Sequence, residues 1–165
     1  MADRWGAPNF EDVENPDRPA DPPADRTALD ARSLSADALR HLFEVLPYGV
    51  ILFDATLSIR EANPAALRIL GMSERQFDRP VGSPDWHFTD RDGRRLAFQE
   101  LPLSQAFASG KPVRNFTVGA FNSVTGKKIW LRGDVLPDAT GRQIQYWSIF
   151  RDATPEVEME MSQPA

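Results

Sequence analysis

Leu39, Leu42, Phe43 and Leu46 recur at i, i+3, i+4 and i+7, the stripe of an amphipathic helix. Ser35 stands at its N-cap position and Pro47 ends it. Gly49 to Asp54 is a short apolar run of strand formers. A turn around Asp54 to Thr56 leads into Leu57–Glu61, where apolar and polar residues alternate, so the pair reads as a hairpin. Asn63-Pro64 supplies an N-cap and a proline at the first helical position, and the helix Ala65 to Leu70 stops at Gly71. Ser73-Glu74-Arg75-Gln76 reads as the capping box of another short helix, ended by Arg79-Pro80. Residues 80–100 are loop-like, with Gly82, Pro84 and the turn Asp92-Gly93. Pro102 opens a helix from Leu103 to Ser109, closed by Gly110.

The last third predicts strands. Phe116–Phe121 is one; the turn Thr125-Gly126 leads to Ile129–Leu136; Pro137 stops that strand, and a turn over Asp138–Gly141 leads to Ile144–Phe150. The order β-β-α-α-α-β-β-β behind a leading helix predicts an α+β fold. It has a five-stranded antiparallel sheet, short helices on one face and an N-terminal amphipathic helix. The last two strands are apolar on both alternating sets: Leu131 and Val135 oppose Trp130, and Tyr146, Ser148 and Phe150 oppose Trp147 and Ile149. Both faces therefore need cover. The internal helices cover one. The other, with Phe116, Trp130, Trp147 and Ile149, is expected to meet the first helix through Leu39, Leu42, Phe43 and Leu46 and to extend into a homodimer interface.

Composition narrows the function. Residues 1–33 hold Pro8, Pro16, Pro19, Pro22 and Pro23 and eight acids against four arginines, and read as a disordered acidic tail ahead of a domain at 34–154. Residues 155–165 read as a C-terminal tail or the start of a linker. The net charge of -5 argues against a nucleic-acid surface. No apolar run is long enough to span a membrane and the first residues hold no signal peptide, so a cytoplasmic location is expected. With no cysteine, thiolate catalysis, Cys-ligated metal and thiol-linked chromophores drop out. His41 and His87 are the two histidines; His41 lies off the helical stripe and reads as a surface residue.

Several segments together resemble the PAS family of sensory domains. Leu46-Pro47-Tyr48-Gly49-Val50 is similar to its opening, and Glu61-Ala62-Asn63-Pro64-Ala65-Ala66 through Leu70-Gly71 to its "N-x-A…l-G" segment. Asp90-Arg91-Asp92-Gly93-Arg94 with Glu100-Leu101-Pro102 resembles the "D-x-dG…E-x-P" stretch. Gly126–Trp130, Pro137, Gly141 and Asp152-Ala153-Thr154 resemble the last hairpin and its "D-x-T" end. The match runs from about Leu39 to Thr154. The resemblance implies a signalling module that senses a small ligand between sheet and helices. It also implies dimerisation and control of an output domain outside this chain, such as a histidine kinase, a diguanylate cyclase or a transcription regulator.

The same resemblance sorts the cofactors. Both photoreceptor branches need a cysteine that this chain lacks. A noncovalent flavin or a haem stays open and neither is favoured. The helix matching the haem-binding one has no histidine, and His87 reads as a hydrogen-bonded loop residue. By alternation and the family's geometry, the inner face should carry Ile51, Phe53, Thr117, Gly119, Phe121, Leu131, Gly133, Val135, Tyr146, Ser148 and Phe150. All of these but Val135 are the expected ligand-binding residues, with Gly119 and Gly133 leaving room. That lining suits a small apolar or aromatic ligand; the alternative is a packed, ligand-free interaction module. Arg132 and Asp134 should point outward, and Asp152 should bond within the last turn. An isomerase-like α+β cone is the best enzyme rival, but the inner list offers Tyr146 and no carboxylate, so no enzyme is expected.

Overall fold

A computed structural model describes residues 35–73, 86–138 and 145–164. The acidic tail, most of the capping box at 73–76 and the turn before the last strand lie outside the described residues. Helix α1 spans Ala36–Val45, strand β1 Gly49–Phe53, β2 Ile59–Ala62 and α2 Pro64–Leu70. A single 3-10 turn at Phe98–Glu100 precedes α3, Pro102–Ser109. Strands β3 (Val113–Phe121), β4 (Lys128–Asp138) and β5 (Gln145–Asp152) follow, then helix α4 at Thr154–Ser162. The sheet is antiparallel in the order β2-β1-β5-β4-β3, and α2 and α3 pack on one face of it.

Helix α2 is clamped at both ends by asparagines. Asn63, fully buried, accepts at Oδ1 from the N–H groups of Val50 (2.9 Å) and Ala66 (3.0 Å). Its Nδ2 donates to the carbonyls of Phe43 (3.1 Å) and Tyr48 (2.8 Å). One side chain thus caps α2, starts β1 and holds the end of α1. At the other end Gly71 takes a left-handed φ of 60°. There the Nδ2 of Asn122 donates to the carbonyls of Arg68 (3.3 Å) and Ile69 (3.0 Å). Its Oδ1 accepts from Val124 and Thr125, shaping the β3–β4 turn.

Two further turns are built on carboxylates. Asp54 accepts from the Thr56 hydroxyl, the Thr56 and Ser58 N–H groups and Arg60, and these, the Thr56 hydroxyl first, hold its carboxyl down at about 2. In the 88–96 turn Asp90 accepts from the N–H groups of Asp92 and Arg94, and Arg94 reaches on to both oxygens of Glu100. Glu100 accepts the Ala97 N–H as well, and with Arg94 as the main cause its carboxyl falls to about 2. This network accounts for the "D-x-dG…E-x-P" pattern.

Three expectations are corrected. Pro137 does not stop β4, which runs on to Asp138; β3 pairs no further than Val135, so Pro137 has a strand on one side only, where a missing N–H costs no ladder bond. Residues 155–165, expected as a C-terminal tail or the start of a linker, hold most of helix α4, so the plain-tail alternative drops out. In β3 the inner and outer sets are reversed. A bulge at Arg114-Asn115, with Asn115 at φ 51°, puts Val113 and Phe116 on the same side, so Phe116, Val118 and Ala120 turn inward. Thr117, Gly119 and Phe121 therefore face outward.

Asn63→Ala should cost at least about 3 kcal/mol, read from urea denaturation, because it strands buried donors and carbonyls around the cap. Asp54 and Glu100 titrate lower in the folded chain than their ordinary 3.8 and 4.5. Their stabilisation is present above those ordinary values and is lost as the pH falls through about 2. The urea midpoint should thus drop between neutral pH and about 2, and less steeply in the Asp54→Asn, Glu100→Gln double variant.

Candidate functional site

The inner face of the sheet meets α2 and α3 around a cavity of about 70 Å³. Ile51, Leu131, Val135, Ser148 and Phe150 form its sheet wall, with Phe116 and Val118 from β3. Leu70 closes one side, Leu101, Pro102 and Leu103 another, and Trp86 and Phe88, stacked 5.8 Å apart, a third. The Ser148 hydroxyl and the Trp86 indole N–H are the polar groups on these side chains. Among the described residues the lining holds no carboxylate, histidine or lysine.

Of the residues expected here, Ile51, Leu131, Ser148 and Phe150 line the cavity. Phe53 and Tyr146 are buried in the same core beyond it, where Tyr146 meets Phe107 at 5.9 Å. Gly133 leaves no room for a ligand: a Cβ there would strike the Ile149 carbonyl and the Phe150 backbone, so the glycine serves the close approach of β4 to β5. Thr117, Gly119 and Phe121 lie on the far side of the sheet. Thr117 accepts from Arg132 Nε at 3.1 Å, Gly119 pairs with Thr89, and Phe121 is exposed against His87 at 5.5 Å. Sequence reasoning missed Leu70, Trp86, Phe88, Leu101 and Leu103, and it placed Phe116 outside. The alternation Phe116-Thr117-Val118-Gly119-Ala120, apolar on odd steps and polar or bare on even ones, carried the signal for β3.

A flavin or a haem does not fit this cavity. Its volume is far below the roughly 300 Å³ at which pockets for drug-sized ligands begin, and no histidine faces it among the described residues. His87 lies outside, against Phe121.

The outer face divides in two. Near β3 and β4, Trp130 is only 3% exposed, beneath Ala153 and Val157 of the α4 region, with Lys128 Nζ 4.4 Å from the ring centre. Trp130 is therefore corrected from an interface residue to a core one, and Phe116 likewise leaves the interface set for the cavity wall. Near β1 and β5, Trp147 and Ile149 remain half-buried beside Leu52 and Leu136. Helix α1 buries none of its residues: Leu39 and Leu42 are 48% and 49% exposed, and Phe43 is half-buried, as is Leu46 just beyond its end.

Comparison with known proteins agrees with this architecture. A family profile described as "PAS domain" matches residues 38–102, which contain most of α1, the β1–β2 hairpin, α2 and the 88–96 turn. The chain carries a PAS domain. Sensor protein kinase FleS of Pseudomonas aeruginosa is 41% identical over 78 residues, covering 42% of this chain. The match takes in 19% of the kinase, so the chain spans about a fifth of that relative's length. The PAS domain of nitrogen regulation protein NR(II) from Vibrio parahaemolyticus superposes with a TM-score of 0.53 at 20% identity, covering 72% of this chain and 99% of that one. An RNA-binding Light-Oxygen-Voltage receptor gives 0.60 at 21% identity, over 86% of this chain and 39% of that one. At such identities the likeness shows the fold, here a PAS fold, to which this chain adds the C-terminal helix α4 over the outer face. No helix among the described residues is long and apolar enough to cross a membrane.

The burial of Trp130 sets a test of the PAS domain's outer face. Trp130→Glu should lower unfolding free energy by about 3 kcal/mol or more, since it removes a buried ring and sets a carboxylate against Ala153 and Val157, whereas Trp147→Glu should stay within about 1 kcal/mol. Thermal and urea denaturation of both variants decide it.

Proposed function

We propose that this PAS domain senses a small apolar molecule of a few heavy atoms in the cavity between its sheet and helices α2 and α3, and relays the occupancy to a signalling partner. The cavity carries this reading: about 70 Å³ walled by apolar side chains, with Ser148 and Trp86 the lining residues that bear a polar group. That is about half the ~150 Å³ of an apolar cavity able to take benzene or xenon. Ser148 and Trp86 can orient an occupant by hydrogen bonds but cannot move a proton between acid and base, so the chemistry on offer is binding. Resemblance to part of a sensor protein kinase supports an output partner of the two-component type.

The same reading includes a homodimer. The exposed stripe of α1 and the Leu52, Trp147 and Ile149 strip are two apolar surfaces that a second copy would cover together. A ligand-free interaction module is the second reading, favoured by one observation: the Phe150 ring packs so close over Gly49 that a Cβ there would sit 2.5 Å from it, leaving the sheet wall largely filled.

Native mass spectrometry of the freshly purified chain tests these readings together. A bound small mass, absent from a Val118→Phe variant that fills the cavity, is expected, on a dimer that Leu42→Glu converts to monomer. A bare mass, with no thermal shift from small apolar probes, would replace the sensing role with the interaction role; a monomer at all concentrations would remove the dimer.

A further inference from the structure

One wall of the inner cavity is a single side chain thick. Trp86, Phe88 and Leu101 line the cavity from within, and the same three side chains line a second hollow on their other side, about 320 Å³ and open to solvent. The two spaces differ in character. The inner one is apolar and bounded by side chains such as Ile51 and Leu70 that do not reach the outer hollow. The outer one adds Phe98 and Arg95, and among the described residues Arg95 is the one charged side chain in its lining. The outer hollow alone reaches the roughly 300 Å³ of ordinary ligand pockets, but it lacks a closed apolar end, which the inner cavity would give it.

Arg95 stands apart from its neighbours. Arg91 is bonded to Glu160, and Arg94 to Asp90 and to both oxygens of Glu100. The Arg95 guanidinium has no carboxylate partner among the described residues. Its stem is nevertheless fixed beside the shared wall, because Arg95 pairs with Thr89, the residue after Phe88. Two of the three wall residues are held by their backbones. The Phe88 carbonyl accepts from Leu96 N–H at 2.8 Å, and Leu101 N–H donates to the Phe98 carbonyl at 3.2 Å. The Trp86 indole is held by its stack on the Phe88 ring, 5.8 Å between centroids. Turning it about its side-chain bonds breaks no hydrogen bond among the described residues and joins the two spaces.

We propose that the two hollows form one elongated site for a monocarboxylic acid with an unbranched apolar chain, whose chain end fills the inner cavity, whose middle takes the place of the Trp86 ring against Phe88 and Leu101, and whose carboxylate pairs with Arg95. This rests on the inner cavity being a ligand site, and it names the class of ligand. The lining dictates that class. At about 70 Å³, against the ~150 Å³ of a cavity able to take benzene, the inner space admits the end of a chain and not a ring. The fork of one guanidinium fits the two oxygens of one carboxylate, and no second cation lines the hollow among the described residues to meet a dianion.

NMR titration of the full chain with octanoate and with octanol reads both ends of the site at once. Octanoate should shift the methyl signals of Ile51 and Leu70, which border only the inner cavity, together with the Nε–H signal of Arg95. Arg95→Gln, a change at an exposed side chain, should leave the amide spectrum of the free protein in place. It should weaken octanoate by about fivefold and alter octanol by less than about twofold, since the alcohol carries no charge to pair. Val118→Phe, which fills the inner cavity, should abolish the methyl shifts with either probe. Octanoate that binds the wild type and Arg95→Gln equally, with the methyls still shifting, overturns the acid site and leaves the ligand cavity standing. Shifts at Arg95 that spare the methyls and survive Val118→Phe overturn it as well, leaving a surface ion contact only. Methyls unmoved by octanoate, by octanol and by xenon under pressure sink the ligand cavity itself, and the acid site with it.

Discussion

The four hydrogen bonds of the Asn63 amide are the constraint on which the arrangement of α1, β1 and α2 depends. Only a side chain with two acceptor and two donor directions on a short stem can serve there. Aspartate would aim carboxylate lone pairs at the carbonyls of Phe43 and Tyr48, and a longer amide would overreach the cap. Because the group is fully buried, water cannot take over any bond that is lost. Asn122 repeats the device at the other end of α2, joining its last carbonyls to the β3–β4 turn. The short helix is thereby fixed as a wall between two hairpins, and the cavity has a defined side at Leu70.

Much of this order was legible in the sequence because its punctuation is local. Asn63-Pro64 and Gly71, Pro102 and Gly110, and Asp92-Gly93 each act through bonds within a few residues, and each marks a boundary or turn that the structure contains. The errors lie where tertiary geometry decides. A bulge of two residues at Arg114-Asn115 breaks the alternation between Val113 and Phe116, so the faces of β3 are legible only from Phe116 onward, and the left-handed tolerance of asparagine is the local hint of the break. Pro137 reads as a stop unless the extent of the neighbouring strand is known. Trp130 and Trp147 look alike in sequence, both outward and aromatic. One is buried because α4 returns over it, and α4 has too weak an apolar stripe to announce itself.

The candidate site was half legible for a related reason. Strand alternation finds the sheet wall, so Ile51, Leu131, Ser148 and Phe150 fell into place. It is silent about the opposite wall, which comes from Leu70 at the end of α2, Leu101 and the first turn of α3, and an irregular segment at 86–88. Glycine also misled in one direction. A missing side chain suggests space, yet Phe150 lies over Gly49, and at Gly133 the backbone of β5 occupies the place of a Cβ. In a close-packed interior the room a glycine leaves is taken by its neighbours, and cavities survive where bulky side chains fail to interdigitate.

The two faces of the sheet are held by forces of different kinds, and this shapes what each can do. The inner face is closed by apolar packing of α2 and α3, which salt barely weakens and which opens only with the core. The outer cover, α4, rests on one valine, one turn of backbone bonds and exposed ion pairs, each pair worth a fraction of a kcal/mol when alone. The packing of the inner face is therefore the stronger of the two, and the outer cover depends more on charge. The 88–96 turn touches both, with Phe88 in the inner wall and Arg91 on the outer helix, and it is itself bonded to the sheet edge through Thr89 and Gly119.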